Sequence, residues 1–493
     1  MHRIIVVGGG ISGLAAAHRL TELKREKALD LEITLLEAQQ RLGGSIATER
    51  REDFLVEAGP DSFISEKPWA LRLCERLGLS SRLLSTNPGY RQIYVVHKNL
   101  LRPLPDGFYL LAPTRFWPIV QTPLFSWRGK LRMAAELFLP RMGGDGDESL
   151  ASFVRRRFGQ EVLDRVAQPL VGGIYAADPE KLSVKSTMPR FLEMEREKRS
   201  VTWAMWRAEL RRSKISKAGS GARWSLFVTL AGGMQELVDA LANKLQGDHV
   251  RLGIRVAALE SDAGRRGWVV ITSGSERIEA DGVILSVPSF RAAKILSSIA
   301  PEAARELHAI AYSSTATVTL AYRRTDIPHP LDGFGFVVPA VEKRKIIACT
   351  FSSIKYSGRA PEGCVLLRAF VGGALEPSLF AQDDTKMETS VRQELADLLG
   401  VTAAPLFCRI SRHARAMPQY PVGHQETVRR VNASLAGFPG LALSGNAYHG
   451  VGMADCIHSG EEAAEKVLRE LKGYEPGLST TGALGAGLSG REQ

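Results

Sequence analysis

Three glycines and one acid near the start of the chain carry the first chemical signal. Gly8, Gly10 and Gly13 have the spacing of a turn that receives a dinucleotide pyrophosphate. One serves the tight turn, one the close approach of phosphate, one the packing of helix on strand. Ile11 and Ser12 lie between them, so their backbone amides open the helix whose N-terminus favours negative charge. Glu37 stands roughly 20 residues or slightly more beyond the turn, where a carboxylate takes ribose hydroxyls. An acid at that point disfavours a 2′-phosphate, and with it NADP. Ala38, Arg41, Gly43 and Gly44 follow at once; a cation and two side-chain-free amides suit the far half of a pyrophosphate.

These residues need particular elements to hold them. The unbroken β-branched run at 3–7 predicts a buried parallel strand, and 15–20 a helix, so the glycines sit between strand and helix as the motif requires. Residues 32–36 predict a second strand ending at Glu37. From 85 to 220 the pattern turns helical and aromatic-rich, opening with two strands at 91–96 and 100–104 around Lys98-Asn99. Residues 108–111 and 116–120 are apolar and broken by proline; they suit either a core or a membrane interface. Gly232-Gly233-Met234 opens a helix, and strands at 250–256, 268–271 and 282–288 resume the first pattern. Residues 311–375 are strand-rich, and Gly450-Val451-Gly452-Met453 precedes a last helix through Arg469.

The fold class predicted is therefore α/β: a Rossmann-like nucleotide domain built from discontinuous segments, 1–84, 221–300 and 430–473. A helical insert at 85–220, with membrane association left open, and a mixed-sheet substrate domain at 301–429 complete it. The Gly/Ser/Thr-rich tail at 474–493 predicts disorder. A chain of 493 residues exceeds what one core supports, in agreement with several domains. Its five cysteines form no CxxC pair and no metal-spaced cluster, which points to a reduced, cytoplasmic protein without a metal. The opening strand leaves no room for a signal peptide, and no apolar run approaches membrane-spanning length. The net charge of +11 is concentrated between Lys181 and Arg223, with twelve cations against four Glu, an excess of eight. Such a stretch suits an anionic membrane surface or an acidic substrate, or is simply a solvated helical face; with no nucleic-acid-binding module, nucleic acid is not a partner.

From Glu37 to Gly44 the chain resembles the ExxxRxGG extension of flavoproteins in the amine oxidase group. Gly59-Pro60-Asp61-Ser62 is similar to the family segment that passes beside the flavin ring. Residues 333–339, 351–353, 359–361 and 417–424 narrow the resemblance to the oxygen-dependent protoporphyrinogen IX and coproporphyrinogen III oxidases of haem synthesis. Residues 443–460 resemble the closing flavin motif of that family, and Gln425 departs from an aromatic carried by some members. The resemblance spans 3–471. It implies non-covalent FAD and a six-electron oxidation of a porphyrinogen, in which O2 is the acceptor and H2O2 the product. It also implies a backbone amide near Val256 at the adenine and Arg91 opposite a propionate.

Reduced flavin is negative near N1, so the helix opened by Val451, Gly452 and Met453 suits that end of the cofactor. No Ser/His/Asp set and no paired carboxylates stand out, so no catalytic side chain is assigned; flavin itself accepts the hydride. His449 reads as a base or, more simply, as a packing histidine, and Cys456 as a buried small residue rather than a covalent flavin anchor. Phe351 and the 333–335 segment suit the apolar wall of a flat macrocycle. The substrate is left between the two porphyrinogens, with a flavin amine oxidase, a carotenoid desaturase or a non-catalytic nucleotide-binding module as alternatives. Homodimerisation and a place on the inner membrane face are left open.

Overall fold

The computed structural model describes residues 1–109, 112–144, 146–217, 225–245, 250–262 and 267–471. Leu110, Leu111, the end of the basic stretch at 218–223 and the tail at 474–493 lie outside the described residues.

A five-stranded parallel sheet forms the centre, in the order Val250–Leu252, Leu31–Glu37, His2–Val7, Gly282–Leu285 and Leu441–Leu443. Ile4, Ile5, Val6 and Val7 are all buried because both faces are covered, which is why that run shows no alternation. Helices Ile11–Glu26, Gln235–Lys244 and Met453–Glu470 cover one face, through Leu14, Leu20, Leu237, Ile457 and Val467. The other face carries a three-stranded antiparallel sheet (Val256–Asp262, Gly267–Thr272, Arg277–Ala280) with helices Ser289–Leu296, Pro301–Ala309 and His424–Leu435. Helix Pro301–Ala309 and the first half of His424–Leu435 fall inside the segment 301–429 expected in the substrate domain. Their apolar faces bury against the nucleotide layer instead, through Leu307 and Val428.

A mixed seven-stranded sheet lies beyond. Its order is Phe407–Pro418, Tyr312–Arg323, Cys364–Gly372, Ala348–Phe351, Gly333–Val337, Gln92–His97 and Leu100–Pro103. The last two strands are the hairpin predicted at the head of the helical insert. Lys98 (φ 53°) and Asn99 (φ 61°) make its two-residue left-handed turn. The hairpin belongs to this sheet rather than to the insert, because Gln92–His97 pairs in parallel with Gly333–Val337. Gly333 permits that approach: a Cβ there would stand 2.4 Å from the Gln92 carbonyl oxygen.

The remaining insert is helical. Helices Leu150–Arg157, Gln168–Tyr175, Pro189–Lys198 and Val201–Lys217 gather Phe153, Phe158, Val166 and Phe191 into a core of their own. Glu136 and Arg157 pair at its centre with neither side chain exposed. The Glu136 carboxylate also accepts from Ser200 Oγ at 2.6 Å and from Val201 N at 2.9 Å. Those bonds satisfy a buried charge that would otherwise cost several kcal/mol.

The first and last helices meet where Gly460 faces Ser12. A Cβ on Gly460 would stand 2.1 Å from the Ser12 carbonyl oxygen and 3.1 Å from Ala16 N. Gly460→Ala is expected to push the helices apart at a cost of roughly 1–3 kcal/mol. The change is measured as a lower thermal midpoint accompanied by weaker retention of FAD.

Candidate functional site

The helix Ile11–Glu26 starts at Gly10 with no side chain capping its amides and no acid in its first turn. A Cβ added to Gly10 would meet nothing within 4 Å, whereas one on Gly13 would lie 1.8 Å from the Gly8 carbonyl oxygen. Gly8 has φ 106° and its Cβ would strike the Ser286 carbonyl at 2.4 Å. The three glycines thus divide the work as the spacing predicts: two allow contact within the protein, and the middle one leaves open space. An uncapped helix start facing open space is a fitting cradle for a pyrophosphate.

Glu37 sits at the end of the second strand, mostly buried, with Oε2 accepting from Gly9 N at 2.6 Å and Oε1 from Gln39 N at 2.7 Å. Each oxygen keeps acceptor capacity for a ribose hydroxyl. Gly253 N and Ile254 N bond to the carbonyls of Gln39 and Glu37, so Val256 starts its strand close beside Glu37 and the exposed Ala38. Arg41 differs from expectation. Its guanidinium donates to the carbonyls of Leu42 (3.1 Å), Gly44 (2.5 Å) and Ile46 (2.8 Å). It braces the loop that brings Gly43 N to the Gly9 carbonyl at 2.8 Å, rather than standing as an unengaged cation.

The closing helix Met453–Glu470 starts at Gly452, also without a side-chain cap. Met453 is buried, and Val451 packs on the core of the helical insert. Cys456 lies one turn on, buried beside Ser12, with its thiol pushed up to about 12 by burial. A thiol so protonated is a packing group, as the sequence suggests. Asp455 in the same turn pairs with Lys67 at 2.6 Å, and Ser286 Oγ meets Ser444 Oγ at 2.5 Å. The start of the first helix, at Ser12, packs against the opening turns of the closing helix, at Cys456 and Gly460. His449 is exposed rather than packed.

Gly59 to Ser62 runs between the nucleotide layer and the seven-stranded sheet, which grips it through side chains that the motif reading missed. A Cβ on Gly59 would lie 1.8 Å from the Ser45 carbonyl oxygen, and Pro60 follows half-buried. His413 Nε2 meets the Ala58 carbonyl at 2.8 Å, Thr317 Oγ1 donates to it at 3.2 Å, and Arg368 donates to the Gly59 carbonyl. Lys355 Nζ pairs with Asp61 at 3.3 Å, and Ser62 Oγ donates to Asp61 at 2.7 Å. Burial raises the Asp61 carboxyl, but the charges of Lys355 and Arg368 outweigh it and hold the group at about 2. The signal for Arg368 was a lone charge inside the apolar strand Cys364–Gly372.

Tyr420 and His424, quoted above only as part of a motif, brace the loop before the closing helix. The Tyr420 hydroxyl donates to the Asn446 carbonyl at 2.5 Å and accepts from Gly450 N at 3.0 Å. His424 stacks on the Tyr420 ring at 4.0 Å, and burial lowers its imidazole to about 4. Arg91, by contrast, is exposed just before the strand Gln92–His97. Phe351 is a correction: its ring is fully buried between Phe336 and His329 in the core of the seven-stranded sheet, not along an apolar cavity wall. No cluster of His, Cys, Asp or Glu suited to a metal occurs among the described residues.

Tyr420→Phe removes a bridge between two loop groups and leaves the Gly450 amide short of an acceptor. FAD retention is expected to weaken roughly tenfold, read by fluorescence release of flavin. His424 has a lowered folded pKa, so the unfolded chain takes up its proton first as pH falls. Stability present above the usual imidazole pKa of 6.5 is therefore lost on acidification towards about 4. Denaturant unfolding across that window shows this loss in the wild type, and His424→Gln is expected to flatten it.

Comparison with known proteins follows this geometry. The family model of flavin containing amine oxidoreductases matches residues 11–468. The chain is 35% identical to coproporphyrinogen III oxidase of Bacillus subtilis (strain 168), covering 95% of this chain and 98% of that one. It is 32% identical to protoporphyrinogen oxidase of Bos taurus, covering 96% and 99%. A crystal structure of a protein from Exiguobacterium sp. 255-15, assigned as a protoporphyrinogen oxidase, superposes with a TM-score of 0.82 at 32% identity over 94% and 98%. With its first helix packed on its closing helix, and matched to that model almost throughout, the chain belongs to the flavin containing amine oxidoreductase family.

Proposed function

We propose that this protein is an FAD-dependent porphyrinogen oxidase that converts protoporphyrinogen IX or coproporphyrinogen III to the porphyrin. Molecular oxygen serves as acceptor, and hydrogen peroxide is released. The observation that supports this best is the packing of two uncapped helices, opened at Gly10 and Gly452, through Ser12, Cys456 and Gly460, in a chain whose curated relatives over nearly its full length include porphyrinogen oxidases. FAD, bound without a covalent link, supplies the hydride acceptor for three successive two-electron oxidations.

The chain's own residues do the positioning. Ile11, Ser12 and Gly13 offer amides to the pyrophosphate, and Glu37 takes the ribose. The turn Gly59–Ser62, fixed by Arg368, Lys355 and His413, sets the floor beside the isoalloxazine. Val451, Gly452 and Met453 direct a helix start at its pyrimidine end, where that start favours the negative charge of the reduced state. Arg91 takes a propionate of the substrate, and the basic residues between Lys181 and Arg223 favour the more acidic, four-carboxylate porphyrinogen. The reading places the protein in the cytoplasm, in peripheral contact with the membrane through its insert.

Anaerobic mixing with each porphyrinogen tests the assignment. Bleaching of the flavin band near ~450 nm together with porphyrin fluorescence is expected, faster with coproporphyrinogen III. Bleaching by amines and by neither porphyrinogen would overturn it. Arg91→Ala is expected to raise KM about tenfold for the preferred substrate with kcat little changed, because a charge-assisted pair is lost in ground and transition states alike.

A further inference from the structure

The groups behind the turn Gly59–Ser62 do more than hold it: they leave positive charge buried there without a counterpart. Glu57, Asp61, Arg359 and Arg368 line one cavity of about 270 Å³. Lys355 reaches Asp61 from beside it at 3.3 Å. Arg359 is 2% exposed and Arg368 4%, and a guanidinium keeps its charge when buried. Three cations against two acids give an excess of one. The excess grows because burial pushes the Glu57 carboxyl up, towards its neutral form. His413, on the same turn, adds no charge at neutral pH, since burial lowers its imidazole.

Arg368 is the cation with the poorest compensation. Lys355 has Asp61 as its partner. Arg359 donates to Thr229 Oγ1 at 3.0 Å and to the carbonyls of Leu230 at 2.8 Å and Ala231 at 3.3 Å. Arg368 donates to the carbonyls of Ala58 and Gly59, and its Nε has no acceptor among the described residues.

The turn lies where this charge acts along the cradle. The Cβ position of Gly59 is 1.8 Å from the Ser45 carbonyl oxygen, and that of Gly44, next to Ser45, is 3.2 Å from Gly10 Cα. Further along the same segment, Lys67 pairs with Asp455 in the first turn of the closing helix. The segment from Gly59 to Lys67 therefore runs from the pyrophosphate end of the cradle to the helix start at Gly452. Hydride transfer would bring two electrons and one proton to a flavin there and add one negative charge; the porphyrinogen gives up a second proton separately. A fixed cation in a dry interior favours the more negative form of a neighbouring cofactor, because little solvent screens it.

Resting on the FAD-dependent reading of the protein, we infer that the charge of Arg368, carried on the Gly59 carbonyl, makes the bound flavin easier to reduce, with Asp61 opposing it. Arg368 acts through the turn and is a positioning residue.

Reduction of the FAD-loaded full chain in equilibrium with a redox dye of known potential tests this, with no porphyrinogen present. At the wild-type midpoint, Arg368→Met is expected to lower the ratio of reduced to oxidised flavin about tenfold, a fall of about 30 mV for a two-electron couple. Arg368→Lys, which keeps the charge, stays near the wild type. Asp61→Asn moves the midpoint upwards, a direction that a merely loosened turn does not give, and this variant decides the matter if Arg368→Met retains no flavin. An unchanged midpoint in Arg368→Met, an equal fall in Arg368→Lys, or a fall in Asp61→Asn would each overturn the inference. Unchanged midpoints in an enzyme that still forms porphyrin defeat this inference alone. Shifted midpoints in a protein that oxidises neither porphyrinogen defeat the substrate assignment and leave the role of Arg368 standing.

Discussion

The contact between Gly460 and the Ser12 carbonyl is the constraint on which the molecule turns. It lets the last helix lie directly on the first, so that Cys456 and Ser12 become neighbours. A single methyl group there would separate them. The parallel sheet below is equally dependent on that closure, because its outer strand, Leu441–Leu443, arrives with the closing segment. The cofactor cradle and the nucleotide core are thus one structure rather than a site added to a scaffold.

The second organising contact is between the nucleotide layer and the seven-stranded sheet. Three strands send Thr317, Arg368 and His413 to two successive carbonyls, Ala58 and Gly59. A turn of bare backbone is held by side chains from another layer, and a buried carboxylate, Asp61, is kept ionised by Lys355 and Arg368. Such a network is costly to build in a dry interior and destabilising to break at any single member. It fixes the distance between the nucleotide layer and the seven-stranded sheet.

The parts of this arrangement that depend on local spacing were legible in the sequence. The glycine positions, Glu37, the uncapped start at Gly452 and the Lys98-Asn99 turn all follow from residues within a few positions of one another. What depended on pairing between distant segments was not. The hairpin at 92–103 read as part of the helical insert, since its partner, Gly333–Val337, lies over two hundred residues away. Phe351 read as a wall residue, but adjacent strand residues face opposite sides. Thr350 lies across from Arg368 on the side gripping Gly59, while Phe351 lies across from Leu367 in the core. Composition cannot reveal that one-residue difference. Arg41 was named for its charge, and its geometry as a brace of three carbonyls needed the folded loop.

Because the parallel sheet takes its strands from residues 2 to 443, the order of synthesis acquires a physical meaning. While the ribosome is still translating the region before residue 441, the strand Gly282–Leu285 lacks its outer neighbour, and the side of the first helix that meets the closing helix has nothing to pack on. Helix Met453–Glu470 emerges after every strand of that sheet, and only then does the cradle close. The nascent chain is therefore unable to take up its yellow prosthetic group until the residues beyond Gly452 have been translated. Messages cut short upstream of Gly452 yield colourless, unassembled polypeptide that is left to chaperones and proteases.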